Sequence, residues 1–273
     1  MDNNYSVLMS VYNKEKPEYL RESMQSIYDQ SVPTDDFVLV CDGPLNEGLD
    51  RVIAEMSGQF GGRLSVHRLE KNCGLGNALN FGLKFCRNEL VARMDSDDLS
   101  RPDRCEKQLA LFRDNPEVSL SSGTVSEFVE DPAKPTGLRT LPLTDQEIRE
   151  FSKKRNPMNH PCVMFKKSAV EAVGGYKETY HLFEDYYLWV RMMMNGYKAQ
   201  NTADILLDMR TPADIYMRRG GKRYAEDMLR FHKWLRSRGW SSTKDYLTGA
   251  IPHALVCVLP NGLRKAVYKG LRK

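Results

Sequence analysis

The sequence predicts an α/β fold: a mainly parallel sheet covered on both faces by helices, followed by a helical C-terminal extension. Two observations carry this. From residue 5 to about 130, short β-branched runs alternate with longer stretches whose apolar residues recur at helical spacing, the pattern of strands joined by crossover helices. A chain of 273 residues with 41% hydrophobic content can also bury a full α/β core.

Residues 7–11, 37–41, 64–69, 89–94 and 118–120 are the expected strands. Between them, residues 18–30, 49–56, 76–85 and 102–113 are the expected helices, the first with Leu20, Met24 and Ile27 about one turn apart. Residues 131–160 break the rhythm with Pro132, Pro135, Pro142 and Pro157 around one short helix near 145–152, and read as a crossover or a loop bordering a site. An apolar run at 162–165 follows, then a helix from Ser168, the pair Gly174 and Gly175, and a helix over 185–195 that Gly196 ends.

Six cysteines without a C-x-x-C pair or regular framework suggest reduced thiols, and neither a leader-like segment nor a span-length apolar run is evident. A cytoplasmic protein is therefore expected. The net charge of +4 conceals an asymmetry: from Arg210 onward, fifteen Lys and Arg face four Asp and Glu, a segment of +11 on a body of −7. No zinc spacing, RRM-like aromatic motif or clear helix-turn-helix signal accompanies it, so nucleic acid is not the expected partner. Tyr224, Met228, Phe231 and Leu235 trace one helical face, and the nine apolar-rich residues 251–259 are too few to span a bilayer. The basic end reads either as a helical packing unit with a solvated tail or as a segment lying on an anionic lipid surface.

Four polar segments follow four successive strands, and at the C-terminal ends of parallel strands they would converge on one ligand site. They are Ser10-Val11-Tyr12-Asn13, Cys41-Asp42-Gly43, the stretch from Asn72 to Asn80, and Asp95-Ser96-Asp97-Asp98 before Pro102. Three carboxylates within four residues repel one another, although Asp, Ser and Pro are also ordinary turn formers. At a strand's C-terminal end, such hard oxygens suit Mg²⁺ or Mn²⁺ holding a phosphate. The glycines at 74, 76 and 82 do not fit G-x-G-x-x-G, and no P-loop motif is present.

In this order, with Asn72 to Gly82 as N-x-G-x-x-x-A-x-N-x-G, the segments resemble family 2 glycosyltransferases of the GT-A fold, in a texture similar to bacterial O-antigen and exopolysaccharide (amylovoran-type) enzymes. Phe183 to Arg191 resembles their E-D-x-x-L-W-x-R signature, so the likeness runs from about residue 5 to 195. It implies a catalytic GT-A domain over 1–210 and a basic helical region over 211–273. It implies a UDP-sugar donor lying against Ser10, Val11, Tyr12, Asn13, Asn72, Gly74 and Asn77, with Asp42 on the uracil. Asp97 would ligate the metal, Asp95 would reach the ribose or a metal-bound water, and Asp98 would reinforce either. Asp185 matches the general base that deprotonates an acceptor hydroxyl, with Glu184 as substitute or acceptor contact; charge at a helix N-terminus is the structural alternative for both. His160 is a weaker acceptor-side match, while Trp189, Tyr187 and Met192 to Met194 are expected to pack.

The implied reaction moves a hexose, glucose or galactose with or without N-acetylation, to a polyprenyl-diphosphate-linked sugar with inversion to a β-linkage. It would proceed on the inner face of the cytoplasmic membrane. A non-catalytic sugar-nucleotide module and a nucleotidyltransferase are the competing readings.

Overall fold

The computed structural model describes residues 4–211, 220–260 and 262–264. Its first half alternates β1 (Ser6–Val11), α1 (Pro17–Tyr28), β2 (Asp36–Cys41), α2 (Glu47–Phe60), β3 (Leu64–Arg68), α3 (Leu75–Leu83) and β4 (Leu90–Asp95). A two-residue β5 (Leu99–Ser100), α4 (Arg104–Asp114), β6 (Val118–Phe128), β7 (Gly137–Arg139), α5 (Asp145–Phe151), β8 (Met164–Lys166) and α6 (Lys167–Ala172) follow. Then come α7 (Glu184–Met194), β9 (Lys198–Arg210), α8 (Lys222–Ser237), α9 (Thr243–Asp245), a π-helical turn over Tyr246–Ala250, and α10 (Ile251–Val258).

The strands form one sheet in the order β3-β2-β1-β4-β8-β6-β9-β5, with β7 beside β6. The strands β1 to β4 pair in parallel, and β8 is antiparallel to both β4 and β6, which returns β6 and its parallel partner β9 to the direction of β1. All the long strands therefore end at one edge.

Apolar side chains cover both faces in two clusters. One joins α1, α2 and α4 to the sheet through Leu20, Met24, Val52, Met56 and Phe112. The other joins α3, α6 and α7 and extends into α8 and α10 through Tyr186, Trp189, Met228, Phe231 and Cys257. The α3 helix lies so close to the sheet that a Cβ on Gly82 would stand 2.6 Å from the side chains of Leu8 and Val40. Trp189 is fully buried, and Met192 and Met193 also pack inside.

The sequence expectation falls short in the second half of the sheet. The strand expected at 118–120 continues to Phe128, and the thirteen-residue β9 was not anticipated. Both are rich in small polar residues that mimic loop composition. Where they are buried, cross-strand bonds pair several of their polar groups: the Ser122 amide donates to the Asn201 side chain at 2.9 Å, and Ser122 Oγ donates to the Asn159 carbonyl at 3.2 Å. A Cβ on Gly123 would lie 2.5 Å from Leu206, so β6 and β9 approach through a glycine rather than through an apolar pair. The helix expected at 49–56 likewise runs from Glu47 to Phe60, its start fixed by the Asn46 side chain accepting the Leu49 amide at 3.1 Å.

Candidate active site

Strand register brings the four predicted segments together. Ser10 stands opposite Val40 on one side and Asp95 on the other, and Val11 stands opposite Cys41, so the turns after β1, β2 and β4 leave the sheet side by side. Val11 is buried, while Tyr12 and Asn13 reach solvent. Asp42 is 4% exposed, and its carboxylate accepts the amides of Cys73 at 2.6 Å and Gly74 at 3.1 Å. Asn72 adds a bond from its Nδ2 to the Asp42 carbonyl at 3.2 Å. Asp42 thus clasps the loop that carries Asn72 and Gly74. Asn77 is exposed at the start of α3, its Nδ2 donating to the Cys73 carbonyl at 2.9 Å.

The acidic cluster lies at the end of β4. One oxygen each from Asp95, Asp97 and Asp98 falls within a 4.8 Å set, which is close enough for one divalent ion to engage all three. Burial and the neighbouring charges of Asp95 and Glu15 push Asp97 up to about 7, and burial and Asp97 raise Asp98 well above the usual carboxylate range. The donor set fits Mg²⁺ or Mn²⁺: all oxygen, mutually repelling, with Asp95 and Asp97 still reached by solvent. Asp98 is 2% exposed and accepts the Arg210 amide at 2.7 Å, so β9 anchors the cluster from the other side. Arg210 Nε also donates to the Asp97 carbonyl at 3.1 Å, while its guanidinium lies 3.9 Å from the Tyr19 ring centroid.

Arg93 lies behind the cluster, fully buried, its Nη2 paired with Asp95. Its Nε and Nη1 find no partner among the described residues. Its positive charge is felt by Asp98, Asp97, Glu184, His160 and Tyr176, which places it at the centre of the site's electrostatics.

Glu184 and Asp185 open α7, with acidic side chains in the helix's first turn as dipole complementarity favours. Burial and Asp185 push Glu184 up to about 7. Asp185 is oriented by Asn156, whose Nδ2 donates to it at 2.6 Å, and by the Tyr186 amide at 2.6 Å. The link between this pair and the acidic cluster is Tyr176. Its phenol is raised by burial first, and further by the charges of Asp185, Glu184 and Asp95, while Arg93 opposes them. Tyr176 Oη also lies 3.0 Å from His160 Nε2, and burial, reinforced by Arg93, holds that imidazole well below its ordinary range. His160 is consequently a neutral hydrogen-bonding group in this pocket, beside the ring of Trp189 at 5.9 Å between centroids.

The loop bearing Tyr176 is tied to α3. Asn80 on α3 receives the Tyr176 amide and donates to its carbonyl, both at 2.8 Å. Gly175, at φ +63°, permits this approach: a Cβ there would lie 2.3 Å from the Asn80 oxygen. Arg191 holds the same turn from below by donating to the carbonyls of Val173 and Gly175.

Sequence reasoning therefore assembled the strand-end residues and missed Arg93, Tyr176, Asn156 and Arg210. Arg93 had a signal, a cation inside an otherwise apolar strand. The others come from loops or a distant strand end and carry none.

A sheet with all its long strands ending at one edge, an acidic triad there and a second carboxylate pair at the start of α7, both felt by the buried Tyr176, define a GT-A-like nucleotide-sugar transferase. The chain belongs to glycosyl transferase family 2, whose model matches residues 6–174. It is 41% identical over 230 residues to the amylovoran biosynthesis glycosyltransferase AmsE of Erwinia amylovora, covering 84% of each chain. It is 37% identical over 265 residues to the UDP-Gal:alpha-D-GlcNAc-diphosphoundecaprenol beta-1,3-galactosyltransferase of Escherichia coli, covering 97% of this chain and 95% of that one. Among solved structures, the mannosyltransferase PcManGT from Pyrobaculum calidifontis, in complex with GDP-Man and Mn²⁺, shares the fold. Its TM-score is 0.67 at 20% identity, over 98% of this chain and 79% of that one. TarS 1-349 of S. aureus in complex with UDP-GlcNAc gives a TM-score of 0.64 at 19% identity, over 83% and 64%.

Proposed function

We propose that this glycosyltransferase moves a hexose, with galactose the first donor to test, from UDP to a polyprenyl-diphosphate-linked N-acetylhexosamine, inverting the anomeric carbon to a β-linkage. The observation that carries this is an oxygen-only triad, Asp95, Asp97 and Asp98, in the same site as a second carboxylate pair, Glu184 and Asp185 at the start of α7, with Tyr176 feeling the charges of Asp95, Glu184 and Asp185. The likeness to the Escherichia coli galactosyltransferase over nearly the whole chain supports the donor and acceptor.

Ser10, Val11, Tyr12, Asn13, Asn72, Gly74 and Asn77 line the nucleotide's berth, and Asp42 offers its remaining lone pairs to the uracil N–H while it clasps the loop. Asp97 and Asp95 would hold Mn²⁺ or Mg²⁺, with Asp98 fixing the cluster to β9 through the Arg210 amide. A bound cation neutralises the charge that gathers on the departing diphosphate. Asp185, aimed by Asn156, takes the proton of the acceptor hydroxyl as that oxygen bonds to the sugar's anomeric carbon from the face opposite UDP, and the carbon–UDP bond breaks. Glu184 and His160 border the acceptor. Arg93 holds Asp95 in place and offsets the charge of the assembled carboxylates.

The basic region over 211–273 would keep the enzyme peripheral on the inner face of the cytoplasmic membrane, beside its lipid-linked acceptor. Residues 212–219, 261 and 265–273 of it lie outside the described residues. The test is transfer from UDP-sugars with Mn²⁺ to a synthetic lipid-diphosphate GlcNAc, followed by product NMR. A β-linked disaccharide with release of UDP is expected. An α-linkage overturns the mechanism, pyrophosphate release would mark a nucleotidyltransferase, and UDP binding without turnover would mark a binding module.

A further inference from the structure

The last described helix is inside out. Along the turn Tyr246–Ala250 and α10, the residues facing α8 are small: Ala250, Ala254 and Cys257 are 1%, 6% and 0% exposed. The large aliphatic residues face away, with Leu247, Leu255 and Val258 at 54%, 61% and 53% exposure and Ile251 half-buried between them. Positions 247, 251, 255 and 258 share one helical face, and Leu263, at 59%, lies just beyond. A single exposed leucine is ordinary in a soluble protein. A row of large aliphatic side chains opposite buried Ala250, Ala254 and Cys257 is not.

The charge of the helical unit that carries this ridge selects its occupant. Lys222, Arg223, Arg230, Lys233, Arg236, Arg238 and Lys244 are all exposed on the same helical unit, and the segment from Arg210 carries +11. A second copy docked ridge to ridge would bring two such units together, which repulsion opposes. An anionic surface with an apolar layer beneath it satisfies both the cations and the leucines. No described helix is long and apolar enough to cross a membrane, so the ridge can only lie in the interface.

We propose that Leu247, Ile251, Leu255 and Val258, continued by Leu263, seat in the interfacial layer of an anionic bilayer while the surrounding cations meet the headgroups. This deepens the reading of a lipid-linked acceptor and rests on it for its purpose, but binding is measured without any substrate. Charge attraction falls away in concentrated salt, whereas apolar burial does not. The two contributions are therefore separable.

The experiment is flotation of the full chain with phosphatidylglycerol-containing vesicles at about 0.1 M and about 1 M NaCl. The unaltered protein should keep a residual bound fraction at high salt. The pair Leu247→Ser and Leu255→Ser should weaken binding by on the order of tenfold per leucine and remove that residual. Lys222→Gln with Lys233→Gln should lower binding only at low salt. Transfer to a short-chain, water-soluble acceptor at an unchanged rate shows that the serine variant is folded. If the unaltered enzyme also fails to transfer, the proposed reaction falls while the flotation result stands. Unchanged flotation of the serine variant overturns the proposal. So does a dimer in analytical ultracentrifugation that the serines convert to monomer, because the ridge would then be a contact between copies.

Discussion

The acidic edge of the sheet and the C-terminal helices break the same rule in opposite directions. At the edge, Asp98 and Arg93 are ionisable groups withdrawn from water and Glu184 is half-withdrawn; along the turn Tyr246–Ala250 and α10, Leu247, Leu255 and Val258 are left in it. A protein selected for stability alone would avoid both, since buried like charges repel and exposed aliphatics gain nothing. On the readings proposed above, each inversion would be relieved by something outside the chain, a cation and a diphosphate in one case and an apolar interface in the other. The difference lies in what must remain rigid. The edge is braced by strand register, by the Arg210 amide on Asp98 and by the Asn80 clasp, whereas the ridge needs only a helix packed against α8.

The sharpest way to break this comparison is Asp97→Ala. Transfer should fall by about a thousandfold or more, as expected when metal-assisted leaving-group stabilisation is lost. The melting temperature in EDTA should hold or rise, because removing one carboxylate relieves the repulsion. Full activity of the parent enzyme in excess EDTA would remove the metal from the scheme. Asp185→Asn comes next: kcat should drop by about 10²- to 10⁴-fold with little change in the donor KM, since a base acts on the acceptor. Equal loss in donor affinity would reassign Asp185 to binding.

On the helical side, Phe231 packs its ring 4.7 Å from Tyr186 and 5.3 Å from Tyr180, fully buried between α7 and α8. Phe231→Ala should cost about 3–5 kcal/mol in a denaturant titration. A loss under about 1 kcal/mol would mean that the C-terminal helices are only loosely joined to the catalytic core. The smallest expected effect is pH-dependent. Burial, with the nearby charge of His253, pushes His232 down to about 4. Because the unfolded chain takes up that proton near its ordinary pKa of about 6.5, stability should be intact above that pH and decline between roughly 6.5 and 4, by at most about 3 kcal/mol. His232→Gln should flatten that part of the acid profile, and a parallel decline in the variant would assign the loss to other groups.

How much of this was visible in the residues differs between the same two regions. The parallel half of the sheet was legible because β1, β2 and β4 are apolar runs bounded by turns. The half built on β6 and β9 was not, because Ser121, Ser122, Thr124 and Asn201 look like loop composition until their cross-strand partners are known. At the site, the strand-end motifs could be read because their chemistry is local. The positions of Tyr176 and Asn156 depend on contacts with residues far away in the chain, such as Asn80, 96 residues distant. On α8, Tyr224, Met228, Phe231 and Leu235 marked their own buried face. On α10 every position from Ala254 to Val258 counts as apolar, so periodicity could not tell the inner Ala254 and Cys257 from the outer Leu255 and Val258.

The Asn80 clasp also bears on how such enzymes diversify. It joins the part of the chain proposed to cradle the nucleotide to the part that ends in Glu184 and Asp185, and it does so through the main chain of Tyr176 rather than its side chain. Its demands on sequence are slight: an asparagine on one side and a glycine at 175 on the other. Recombination between relatives at that junction would preserve the joint whatever the side chains beyond it. A chimera crossing over at Gly175 should keep the donor choice of its first parent and inherit acceptor choice from the second.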